Sequence, residues 1–138
     1  MFNKKFEDRL RLWSSFRDTL TDAEDPLQDT INLFNTAPIT SIATDPYDST
    51  TWPTPWQIIQ ENEYCKFVKL LAICYTLQLS DRFSESSFVI YIASTEEMTH
   101  YLLYVDDLVI GYDHTTYVHK TKVENTTIET KYVMPSIY

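Results

Sequence analysis

Glycine is almost absent: the chain has one, Gly111, in 138 residues. A typical chain carries about 7%. Phosphate-cradling loops and dinucleotide fingerprints need several glycines at fixed spacing, so both are excluded. Basic charge is scarce too, with 11 Lys and Arg against 20 Asp and Glu and a net charge of −9. An acidic surface repels phosphate backbones, so nucleic acid is not an expected partner. Small basic groups at Lys4, Lys5, Arg9, Arg11 and Arg17, and at His119, Lys120 and Lys122, read as solvated faces. No apolar run reaches the roughly 18–20 residues needed to span a bilayer, and the N-terminus lacks a signal-peptide core. There are two cysteines, Cys65 and Cys74. On one helix they stand about 13 Å apart on nearly opposite faces, so reduced thiols are expected. No metal or cofactor is expected.

Large apolar side chains are plentiful: three Trp, ten Tyr and seven Phe supply material for a core. The length fits one domain, residues 1–138. Phe2, Phe6, Leu10, Trp13, Phe16 and Leu20 follow helical spacing and predict a helix over roughly 3–21. Asp25 then Pro26 is a cap-and-proline start for a short second helix through Leu27, Ile31 and Phe34. Residues 36–55 have no periodicity and read as an ordered loop pinned by Trp52 and Trp56. Thr54 and Pro55 open another helical segment. Asn62 reads as the N-cap of a nearly all-apolar central helix, 62–79.

The period then switches to that of strands. Ser87–Ser94, His100–Val105, Leu108–Asp113, Tyr117–Lys122 and Thr127–Val133 predict an antiparallel meander. The expected class is α+β: N-terminal helices over 1–35, then a central Cys-bearing helix packed on a C-terminal antiparallel sheet within 56–138.

The candidate chemistry lies in HYLLYVDDLVIGYD, residues 100–113. A two-residue turn at Asp106-Asp107 puts Val105 opposite Leu108 and, at the far end, His100 opposite Asp113. His100, Leu102 and Tyr104 would then share a face with Val109, Gly111 and Asp113. A central helix on that face would bring Cys65 to the imidazole. With Asn62 as cap, Cys65 falls in the first helical turn, where thiolate is favoured. Lys66 adds to that effect; Glu61 and Glu63 oppose it. Such a set has the parts of a triad, with Cys65 as nucleophile, His100 as base and Asp113 as orienter. Gln60, or Gln57, is the candidate oxyanion donor.

A cysteine near a helix start, then a strand opening with His, then a hairpin ending in Asp resembles the transglutaminase-like, papain-like cysteine domains over about residues 56–115. The resemblance implies acyl transfer or amide hydrolysis by a thiolate. The cysteine context NEYCKF departs from the small residues usual in that family. The stretches DPYDSTTWPTPWQIIQENEYC and ICYTLQLSDRF are similar to small proteins of marine T4-like tailed bacteriophages. That resemblance implies a virion component of tail, neck or baseplate, assembled in the host cytoplasm. Its partners would be other virion proteins, met through the N-terminal helix and the Trp52/Trp56 loop. The favoured expectation is this structural or accessory role on a transglutaminase-like fold without required activity. The alternatives are an active cysteine hydrolase or acyltransferase, and an intracellular interaction module.

Overall fold

The computed structural model describes residues 1–40, 44–123 and 126–135. Among these, four α-helices precede a five-stranded antiparallel sheet, an α+β arrangement. The helices are α1 (Phe6–Thr19), α2 (Pro26–Phe34), α3 (Pro55–Glu61) and α4 (Lys66–Gln78). The strands are β1 (Phe88–Ser94), β2 (Thr99–Val105), β3 (Leu108–Ile110), β4 (Val118–His119) and β5 (Thr127–Val133). No described helix is long and apolar enough to cross a membrane.

Two helix starts form as their sequences dictate. The Asp25 carboxylate accepts the Gln28 N–H at 3.3 Å, with Pro26 in the first turn of α2. At α3, Thr54 Oγ1 accepts from Gln57 N–H while the Gln57 side chain accepts from Thr54 N–H, a reciprocal capping box. The start of α4 differs from expectation. Asn62 is left-handed at φ 54° and ends α3, so the N-cap of α4 is Cys65. Asparagine suits both positions, because its short amide tolerates the left-handed region.

α4 is the centre of the molecule: every residue from Phe67 to Gln78 except Lys69 is buried. Each large apolar side chain there contributes roughly 1.5–3 kcal/mol by leaving water. α1 joins the same core. Trp13 is buried and its indole N–H donates to Thr76 Oγ1 at 2.9 Å. Arg9, also buried, donates to the carbonyls of Ile59 and Gln60 at the C-terminal end of α3, where a cation is favoured. The apolar face of α1 thus contributes Trp13 to the protein's own core, with Phe6, Leu10 and Phe16 partly buried against it. Trp52 likewise packs on Phe67 and Tyr132, and its N–H donates to Asp45 O at 3.1 Å. Trp56 stands edge-on to Trp13 and stays half-exposed. Residues 41–43 of the expected loop lie outside the described residues.

The sheet order is β4-β3-β2-β1-β5, so the expected simple meander is corrected at its last strand. β5 crosses to the far edge and pairs with β1. The reason lies in β1 itself: Phe88, Ile90, Ile92 and Ala93 are buried, and a strand so buried cannot leave one row of backbone groups unpaired at an edge.

The two faces of the sheet are unlike. Phe88, Ile90, Leu103, Val105 and Ile110 point to the helices and share one cluster with α1, α2, α3 and α4. On the other face Ala93, Leu102 and Val109 form a small second cluster, flanked by Tyr91, Tyr104 and Tyr112. No described helix contributes to that second cluster.

Candidate functional site

The turn end of the β2–β3 hairpin has the expected register. Val105 pairs with Leu108, Tyr104 with Val109 and Leu103 with Ile110. Asp106 takes the left-handed conformation at φ 53°. Its N–H donates to Ser87 O at 3.0 Å and its carboxylate accepts from Ser87 N–H at 2.9 Å, tying the turn to the start of β1. Asp107 pairs with Lys120 at 2.9 Å.

The open end does not continue this ladder. Gly111 has φ 104°, a conformation that side chains rarely adopt. A Cβ there would lie 2.2 Å from the backbone oxygen of Tyr101. Gly111 thus presses against Tyr101, where continued register would oppose it to Leu102, and the paired strand ends at Ile110. The expected pairing of His100 with Asp113 is corrected for this reason. Asp113 instead accepts the Thr115 N–H at 2.8 Å and the Thr115 hydroxyl at 2.7 Å. These bonds hold its carboxyl below the usual carboxylate range. The segment is fastened to α2 as well. Asn35 Nδ2 donates to His114 O, Gln28 Nε2 donates to Thr115 O, and the Tyr117 hydroxyl donates to Asp25.

Strand alternation separates the other two members. α4 packs on the face of Tyr101, Leu103 and Val105, opposite to the face expected from the triad reading. Cys65 is half-buried against this helix-side core, near enough to Tyr101 to reinforce the upward push that burial gives the phenol. His100 turns to the other face, its ring centroid 6.4 Å from that of Tyr112. Burial, and then the Lys66 charge, push the imidazole pKa below its ordinary value. A base gripped by a carboxylate would move upward. Among the described residues no hydrogen bond joins Cys65, His100 and Asp113.

Both candidate oxyanion donors lie on α3. Gln60 is exposed on α3, where its backbone oxygen accepts from Arg9 at 3.1 Å. The Gln57 side-chain oxygen accepts from Thr54 N–H in the α3 cap. Cys74 is fully buried; its S–H donates to Gln78 Oε1 at 3.6 Å, and burial pushes its pKa far up. Both cysteines are free. No three described His, Cys, Asp or Glu residues are grouped to hold a metal.

What the structure does assemble beside the broken hairpin end is a small cleft between α2, α4 and the end of β3. Lys66 and Lys69 line it, with Leu70, Ile73, Tyr101 and Ile110 behind them. The sequence carried one signal of this site: two lysines in the opening turn of a helix oppose the helix dipole. Comparison with known protein families, curated proteins and solved structures finds no match.

Proposed function

We propose that the protein works by contact and not by thiol chemistry, as a structural or accessory component of a bacteriophage particle. The observation that carries the non-catalytic half is geometric. Cys65 stands on the helix side of β2, His100 turns to the other side, and Asp113 is bound to Thr115. A nucleophile needs its base within hydrogen-bond reach, and no small rotation carries an imidazole across a sheet. The cysteine hydrolase or acyltransferase alternative lacks that support.

The particle half rests on the resemblance of the sequence to small proteins of tailed phages. A papain-like or transglutaminase-like ancestry would account for the helix-then-hairpin order with its chemistry lost. The contact role is supported by the sheet face that no described helix covers, with Tyr91 and Tyr104 in edge contact at 4.8 Å. Half-exposed Trp56 supports it too. Tyr and Trp are enriched at interfaces.

The test is made on purified phage particles. Mass spectrometry should find the chain at a fixed copy number, and phage carrying Cys65→Ser should assemble and infect at wild-type titre. Absence from the particle would overturn the structural role. A tenfold or larger loss of titre in Cys65→Ser, with the chain still incorporated, would restore the thiol reading.

A further inference from the structure

The cleft beside the broken hairpin end is a second feature, independent of the particle reading. Its walls divide by chemistry. One side is apolar: Ile31 from α2, Leu70 and Ile73 from α4, and Ile110 from β3. The other holds two ammonium groups, Lys66 and Lys69, which lie on one face of α4 at i, i+3 spacing. The cleft encloses about 60 Å³, room for a short branched alkyl group and little more.

Among the described residues the lysines have no counter-ion of their own. Neither makes an ion pair with any described residue, in a chain with nearly twice as many acids as bases. Asp113 is the acid that lines the cleft, and its carboxylate turns to the Thr115 amide and hydroxyl. Lys69 is half-buried, and burial together with the Lys66 charge lowers its pKa. Two like charges side by side, one of them partly desolvated, and both in the first turn of a helix whose dipole disfavours cations, form an arrangement that a bound anion would relieve. Because the cleft behind the lysines is lined by Ile31, Leu70, Ile73 and Ile110, it suits an anion that carries a hydrocarbon body better than bare phosphate.

We propose that the cleft between α2, α4 and β3 binds a small carboxylate bearing a short branched apolar group. The carboxylate sits between Lys66 and Lys69, and the alkyl group lies on Leu70, Ile73 and Ile110. Such a carboxylate comes either from a free short-chain acid or from the C-terminus of a polypeptide ending in an aliphatic residue. Recognition is the same in both: charge-assisted bonds from two ammonium groups and burial of a few methyl groups.

The experiment is an NMR titration of the full chain with isovalerate, with acetyl-Gly-Val as the free acid, and with isopentanol and phosphate as controls. One of the two carboxylates should give saturable shifts at Lys69, Leu70, Ile73 and Ile110, and the tighter of the two assigns the source. Isopentanol and phosphate should each bind at least tenfold more weakly than that acid. Lys66→Met with Lys69→Met should weaken it at least tenfold while preserving the fold. Asp113→Asn keeps the oxygen that accepts from Thr115 and removes a repelling charge, so it should tighten binding two- to fivefold. Equal binding of isopentanol, unchanged binding in the lysine variant, or no saturable shift with either acid would overturn the proposal. Particle composition and titre do not depend on these outcomes, so this site and the structural role fail separately.

Discussion

The β2–β3 hairpin has two ends that obey different rules. At the turn, loop length and strand alternation place every partner from Val105 and Leu108 to Leu103 and Ile110. At the open end one residue, Gly111, replaces the ladder with a close approach to the Tyr101 carbonyl, and the following residues answer to α2. Register is a local property of a hairpin. It propagates only while each residue keeps extended geometry, and a single positive φ ends it.

Changes at the two ends should therefore differ in kind. Gly111→Val places a branched side chain at φ 104°, with its Cβ in the Tyr101 oxygen. The expected loss is about 3 kcal/mol or more by urea denaturation, combining backbone strain and overpacking. A loss below about 1 kcal/mol would mean that the open end is an ordinary ladder after all. At the turn end, Asp106→Ala removes the carboxylate that accepts from Ser87 and leaves alanine at φ 53°. The expected cost is about 1–2 kcal/mol. Asp106→Asn should recover most of it.

A smaller effect distinguishes the electrostatics. Lys66 helps to depress the His100 pKa, so Lys66→Met should raise it. Because the folded-state value is depressed, the unfolded chain binds the proton more readily. The contribution of His100 to stability is complete above its unfolded pKa of about 6.5 and is lost as pH falls through that value toward the folded one. His100→Gln should remove that part of the pH dependence of the denaturation midpoint. Smallest of all is Asp107→Ala. It breaks an exposed ion pair with Lys120 and should leave the midpoint unchanged within error.

The same contrast explains what was legible in the sequence. Asp25-Pro26 and Thr54-Pro55 specify their helix starts through local chemistry, and both form. Asn62 was ambiguous, because a residue that caps a helix start also tolerates the left-handed end of the preceding helix. The shift of the cap to Cys65 follows from that ambiguity. The amphipathic stripe of α1 was visible, but periodicity does not say whether its apolar face meets a partner or the chain itself. Trp13 and Arg9 tie the helix to the chain's own core. The side of the sheet taken by α4 depends on packing across the whole molecule and had no local signal. Gly111 did carry one: an isolated glycine in a strand pattern marks a bulge or a close backbone approach.

The account turns on whether His100 and Asp113 are partners. The most direct measurement is the His100 pKa by NMR titration in the wild type and in Asp113→Asn. Separation at Gly111 predicts a value below the ordinary 6.5 that does not change in the variant. A value above 6.5 that drops when Asp113 loses its charge would show the pair intact and contradict the account.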